Sequence, residues 1–300
     1  MKTFSYLSLF LFLLTSSTLS AQTNMSGFFG AKGDLSISLG YNRATTDGFW
    51  VGDVEMDAIP AHDQFEVDII SLYGTYSILD DLQLVVSVPY ISIGNTSGAA
   101  DPVNGLTEES GIQDPSFGLK YRFAQIGGGE KVGLDLYVGA AASFPGGYEP
   151  NGILSIGSGA TTGTGTLGGQ LMTPSGVFLN ANVGYSLRGE AENNGTGDDF
   201  DVPDAVLASA KLGYAGSKIY GEVFYDYQSS TDGVDIMGEG FMGNFPETEV
   251  NFGRVGAAVY VPLGSSPFGV SANYSTFVSG RNLAKLSYFG GGVTWNFSAF

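Results

Sequence analysis

Charged side chains recur at every second position of otherwise apolar stretches in this 300-residue chain. In "SFGLKYRF" (116–123), Lys120 and Arg122 share one side with Ser116 and Gly118, while Phe117, Leu119, Tyr121 and Phe123 share the other. Asn180, Asn182 and Arg188 stand opposite Leu179, Ala181 and Leu187; Lys211 opposes Ala210 and Leu212; Asp135 opposes Leu134 and Leu136. Glu222 and Asp226 oppose Val223, Tyr225 and Tyr227, and Arg254 lies in another such stretch. Successive side chains of a strand point to opposite faces, so each stretch is a ribbon with one greasy and one polar face. Five cations set against three carboxylates suit the selective lining of a pore. The alternative is that the same charges pair across the interior and close it.

Other chemistry finds little support. The only histidine, His62, has Asp63 as a sequence neighbour. Acid–base or nucleophilic work needs a histidine whose serine or carboxylate partner is brought to it by the fold, and adjacency alone supplies no dyad. Cysteine is absent, which removes thiol chemistry, and a single imidazole is too few for a histidine-based metal site. "NNGTGDDFDVPD" (193–204) has the oxygen density of a weak calcium loop but lacks the spacing and terminal Glu of an EF-hand, and reads as a solvated loop. "GSGATTGTG" (157–165) lacks the lysine and following helix of a phosphate loop. No catalytic residue, resident metal or cofactor is expected.

The elements that position these side chains start after a leader. Lys2, the apolar run YLSLFLFLL (6–14) and a small polar stretch ending at Ala21 form a secretory signal peptide, with cleavage expected after Ala21. Residues 22–300 then form one domain, with no linker to split it. No later apolar run reaches the ~20 residues of a membrane-spanning helix. The chain is nevertheless 43% apolar and only 14% charged, with 46 Gly, 16 Tyr and 21 Phe. That composition favours a β architecture with little surface to solvate.

Twelve alternating segments are legible, at 34–43, 65–78, 82–94, 115–125, 131–144, 159–172, 177–189, 205–214, 218–228, 247–262, 268–279 and 285–297. Tight connections at 79–81, 126–130, 173–176, 215–218 and 264–267 alternate with long polar loops at 44–64, 95–114, 145–158, 190–204 and 229–246, and a short one closes the series near 280–284. An even strand number with short turns at one end and long loops at the other is the pattern of an outer-membrane up-and-down barrel with both termini in the periplasm. Most of the 30 acidic residues fall in the long loops, so the net charge of −18 belongs to the outer surface and disfavours nucleic acid as a partner. Aromatics near strand ends (Tyr41, Tyr90 and Tyr185 at one end, Phe123, Tyr214, Tyr260 and Trp295 at the other) suit the two interfacial girdles of such a barrel. A lysine or arginine on the lipid face near the midplane costs ~2–4 kcal/mol, so the charged face is read as the interior.

"YGTYSILDDLQLVVSVPYI" (73–91), "GIQDPSFGLKYRF" (111–123), "FLNANVGYSLRG" (178–189) and "GGVTWNF" (291–297) together resemble, in order, the family of Gram-negative outer-membrane proteins labelled as the MetA pathway of phenol degradation. The resemblance implies a transporter taking up small aromatic or hydrophobic compounds. The reading is therefore a β-barrel that passively admits small solutes, with outer-membrane lipids and the barrel assembly machinery as partners. Val85, Pro89 and Ile91 are expected to add an apolar wall inside for an aromatic solute, with Pro89 either at a place where no ladder hydrogen bond is needed or at a bulge. Phe297 is expected to be the last lipid-facing aromatic, followed by a three-residue tail, the alternative being a bulge that resets the register towards Phe300. A non-conducting structural, adhesive or stress-response barrel is the alternative. Whether residues 22–33 enter the lumen is not legible.

Overall fold

A computed structural model of the chain describes residues 25–298, apart from 58, 60, 61, 194 and 195. The signal peptide and its cleavage point lie outside the described residues, as do the last two positions of the C-terminal tail. Twelve long strands form one antiparallel sheet: β1 (Leu35–Val51), β2 (Phe65–Leu79), β3 (Leu82–Asn95), β4 (Ser116–Gly127), β5 (Gly133–Ser143), β6 (Thr162–Met172), β7 (Val177–Arg188), β8 (Ala205–Ala215), β9 (Tyr220–Ser230), β10 (Asn251–Pro262), β11 (Phe268–Arg281) and β12 (Leu283–Phe297). Each pairs with its sequence neighbours, and β12 returns to β1 in register from Leu35↔Phe297 to Trp50↔Leu283. The twelve long strands close on themselves, so none of them is left as a free edge, as a span through lipid requires.

The outer surface is the greasy face. Phe117, Leu119, Tyr121 and Phe123 are exposed on it, as are Leu39, Leu72, Val183, Leu212, Val223 and Val293. In water this belt would be an aggregating surface; in a bilayer it is the solvated one. Lys120, Asn180, Lys211, Glu222, Asp226 and Arg254 are buried on the inner face. Tyr41, Tyr90 and Tyr185 sit on the outside at the loop end, and Phe123, Tyr214 and Trp295 at the turn end. Tyr260 departs from the expected girdle: it faces inward, 4% exposed, and packs with Phe178 and Tyr220. The rule that outward positions are apolar also has a limit. Arg43 pairs with Glu66 at 2.7 Å on the outside of β1 and β2, one step beyond the Tyr41↔Ile70 pair, where the apolar belt ends.

Strand lengths explain the shape of the loop end. Residues 44–51, expected within the long polar loop 44–64, instead continue β1 to Val51 across a bulge between Thr46 and Gly48. The partner β12 starts at Leu283, and the short connection before it is Asn282 alone, in the left-handed conformation with φ 53° that asparagine tolerates. β11, β12, β1, β2 and β3 thus form a tall wall of 14–17 residues per strand, against 11–12 for the others. The upper inside of that wall is apolar, with Ala44, Phe49, Trp50, Phe65, Val67, Ile69, Ile91, Ile93, Phe277 and Leu286 all buried. On the inside of β3, Pro89 is spared a ladder bond towards β4. Leu82–Ser87 pair with β4 and Tyr90–Gly94 pair with the short strand Glu108–Ile112, leaving Val88 and Pro89 between the two ladders. The last strand ends at Phe297, which is exposed alongside Trp295 and Val293.

Candidate functional site

The lumen has three layers, and the sequence-predicted residues divide among them. At the loop end, loops 96–115, 144–161 and 231–250 fold inward from the low side and pack Leu154, Ile156 and Ile236 against the apolar inside of the tall wall. Asp101 holds this cap: its Oδ2 accepts the backbone N–H groups of Ile153 at 2.6 Å and Leu154 at 3.3 Å, and its Oδ1 accepts that of Val103 at 2.8 Å. Asp114 accepts the N–H and hydroxyl of Ser158, both at 3.1 Å, and the hydroxyl of Tyr148. Gln113 donates to the Ile156 carbonyl. The acidic residues of the long loops therefore do not all belong to the outer surface. Asp101, Glu109 and Asp114 are buried, because the backbone of an inward-folded loop needs acceptors that strands cannot supply.

Between cap and wall lies a cavity of about 240 Å³. Phe49, Phe65, Ile93, Phe252, Phe277 and Leu286 line its apolar side, and Arg188, Asp114 and Gln228 its polar side. Arg188 donates from Nη2 to Gln228 Oε1 at 3.1 Å, and its backbone N–H is held by Asp204 Oδ1 at 2.7 Å. Of the predicted lumen set, Arg188 alone lines this cavity.

In the middle layer the charges pair. Lys211 Nζ lies 3.4 Å from Glu222 Oε1, and both side chains are almost wholly buried. Arg254 binds Asp226, which also accepts from the Ser209 hydroxyl at 2.7 Å. Nearer the turn end Arg122 bridges Asp135 at 3.0 Å and Asp81 at 2.6 Å. Asp81 belongs to the β2–β3 turn and was not singled out from sequence, since a turn aspartate carries no sign of an inward partner.

The bottom layer is occupied by the chain itself. Residues 25–34 enter the barrel at its turn end. Lys32 N–H donates to Asp80 Oδ1, Gly33 N–H to the Ser77 carbonyl, and Ser298 Oγ to Asp34 Oδ1, fixing the segment to the rim. From there it climbs to Met25, 3% exposed, whose carbonyl accepts from Tyr137 OH at 3.3 Å and Asn182 Nδ2 at 3.5 Å. Asn180 donates to the same tyrosine hydroxyl at 3.0 Å. Lys120 Nζ donates to the carbonyls of Ser26 and Phe28, 2.7 Å each, and lies 4.3 Å from the centre of the Phe29 ring. Among the described residues Lys120 joins no ion pair; its charge is met by these carbonyl dipoles and the ring face.

His62 is fully buried beside Phe65, and neither ring nitrogen has a hydrogen-bond partner among the described residues. It forms no dyad with Asp63, whose φ of 61° belongs to a tight turn. Among the described residues no group of acids and imidazoles is arranged to hold a metal, the 193–204 loop included.

One loop contact is pH-sensitive. Glu109 accepts the Glu149 N–H at 2.6 Å through Oε1, while Oε2 is buried without a partner. Burial, aided by the charges of Glu149 and Asp101 and opposed by the Glu149 N–H, pushes its carboxyl up to about 7 from 4.5. The folded cap thus favours the protonated acid. Its contribution is complete below the unfolded value and is lost as pH rises through about 7. Hydrogen exchange of residues 149–158, corrected for intrinsic rates, should lose protection between about pH 5 and about pH 8. Glu109→Gln should flatten that dependence.

No curated protein sequence matches the chain. Among solved structures it is similar to the COG4313 outer membrane channel from Pseudomonas putida F1, with a TM-score of 0.70 at 11% identity over 92% of this chain and 100% of that one. It also matches the translocator domain of the autotransporter NalP from Neisseria meningitidis (TM-score 0.48, 12% identity, 89% and 90% covered). A TodX deltaS2S3 mutant monoaromatic hydrocarbon channel matches at TM-score 0.44 and 10% identity, with 89% and 91% covered. At 11% identity the first likeness is one of architecture: the closed antiparallel β-barrel. The sequence profile described as "Putative MetA-pathway of phenol degradation" matches residues 66–289, from the start of β2 to well inside β12, and the chain belongs to that family.

Proposed function

We propose that this barrel is an outer-membrane channel for passive uptake of small solutes, aromatic or hydrophobic ones among them. The observation that carries the reading is the cavity between cap and wall. It is large enough for a single small aromatic, apolar on most sides, and has Arg188, Gln228 and Asp114 on the remainder to orient a polar substituent. A similar architecture is described for a P. putida protein as an outer membrane channel. Below the cavity, Lys120, Arg122, Asp135, Asn180, Asn182, Lys211, Glu222, Asp226 and Arg254 are proposed as a mixed-charge lining that selects among solutes. Lipid covers the outer belt, and Phe297 is the aromatic offered to the assembly machinery. No residue is assigned a catalytic role.

A second reading, a closed structural barrel, has its own observation in the pairing of the lumen charges and in the segment 25–34. Single-channel recording of the refolded mature protein in a planar bilayer separates the two. The channel reading expects discrete conductance, with selectivity moving towards cations in Arg122→Glu. A correctly folded but silent barrel would leave the structural account.

A further inference from the structure

The N-terminal segment does more than fill space at the bottom of the lumen: it makes the contacts of a bound ligand. Two backbone oxygens, the carbonyls of Ser26 and Phe28, each stand 2.7 Å from one Lys120 Nζ, so the ammonium is held by acceptors that a ligand oxygen can replace. The Phe28 ring makes T-shaped contacts with Phe178, centroids 5.1 Å apart, and with Tyr220 at 6.1 Å. Those two rings are stacked on each other at 5.5 Å, forming one wall of an aromatic slot. Ring, Cβ, Cα and carbonyl of Phe28 together are a 3-phenylpropanoyl unit, with its oxygen on the ammonium and its ring in the slot.

The receptor side is buried and charge-biased. Lys120 is 1% exposed, its strand neighbour Arg122 is paired with Asp81 and Asp135, and among the described residues Lys120 itself joins no ion pair. Gln170 Oε1 is buried without a partner beside the same segment. The fit is also close. A β-carbon on Gly27 would stand 2.5 Å from Gln170 Oε1 and 2.6 Å from both Gln170 Cβ and Asn180 Nδ2, so only glycine passes there.

We infer that the Lys120 seat is a binding station for aryl-alkanoic carboxylates, and that residues 25–29 occupy it as a tethered internal ligand. A carboxylate offers Lys120 a full charge where the segment offers only dipoles, so a solute of this class is the natural competitor. The tether gives the segment an effective concentration of roughly mM, so the free acid gains the seat mainly when the segment is weakened. The inference rests on the uptake reading for its biological sense, but not for its test.

Binding of 3-phenylpropanoate to the full mature chain, refolded in detergent, should be measured by titration calorimetry for wild type, Gly27→Val and Phe28→Ala. Both variants keep the barrel strands intact; circular dichroism and heat-modifiable migration report folding. Each is expected to bind the acid about tenfold or more tightly than wild type. Adding Lys120→Gln to Gly27→Val should abolish that binding, and 3-phenylpropan-1-ol should not show the lysine dependence. Equal binding with and without Lys120, or no gain in either loosened variant, overturns the inference. Conductance recorded in parallel keeps the readings apart. Conducting protein without acid binding refutes the station alone, and acid binding by a silent barrel refutes the channel alone.

Discussion

Glu222→Ala is expected to destabilise the barrel by about 3–5 kcal/mol. Glu222 faces Lys211 across neighbouring strands, the two side chains being 1% and 2% exposed. Its second oxygen accepts the Tyr220 hydroxyl at 2.5 Å, while the ammonium also lies 5.9 Å from the Phe224 ring and within the electrostatic reach of Asp226, which Arg254 already engages. Truncating the acid strands a buried cation, which costs far more than the pair itself contributes. Lys211→Met combined with Glu222→Leu should therefore recover most of the loss, because the apolar pair removes the charge rather than orphaning it. Urea-dependent folding into detergent or lipid, followed by the fluorescence of Trp50 and Trp295, measures both. If the single variant costs under about 1 kcal/mol, the pair behaves as a hydrated surface salt bridge and water reaches the middle of the lumen. That result would also strengthen the conducting reading. Equal losses in the single and double variants would show that shape, not charge, dominates at this site.

The barrel was legible because its physics is repetitive. Period-two alternation in segments such as 177–188 and 116–123 fixes which face meets lipid, and the alternation of short turns with long loops fixes strand order. Errors fall where a second packing demand overrides the local pattern. The Thr-Thr-Asp-Gly stretch of 45–48 looks like a turn, yet β12 supplies it with a partner and a bulge absorbs the extra residue. Tyr260 sits at the right height for a girdle, but it points inward, where Phe178 and Tyr220 offer an aromatic partner and Asn296 a hydrogen bond. The site divides in the same way. Which charges turn inward follows from parity, but their pairing depends on barrel register, which brings Asp226 opposite Arg254 only once β9 and β10 are aligned. The burial of Asp101 and the insertion of residues 25–29 had no periodic signal. A polar loop that folds into a mouth reads in sequence like one that does not. The glycine at 27 and the phenylalanines at 28 and 29 are the only trace of the segment's close fit.

Asp101→Ala is expected to open the cap. Asp101 is 2% exposed and accepts three backbone N–H groups, two from the 144–161 loop and one from its own. Alanine leaves the Ile153 and Leu154 donors unpaired in an apolar setting, where hydrogen bonds to a charged acceptor contribute about 1.5–3 kcal/mol each. The remaining cap contacts, Gln113 to the Ile156 carbonyl and Asp114 to Ser158, hold the far end of the loop, so release should be local and the barrel should stay folded. A net shift of about 2–3 kcal/mol raises the ratio of open to closed cap by roughly 30–150-fold. Hydrogen exchange at 151–156 should accelerate by a similar factor, while the amides of β6 and β7 stay protected. Asp101→Asn, which keeps one neutral acceptor, should fall between. Unchanged exchange would mean that apolar packing of Leu154 and Ile156, not the aspartate, holds the cap. Faster exchange with raised open probability places the main barrier to solutes at the loop end. Faster exchange without any change in conductance places it below, at the segment seated on Lys120.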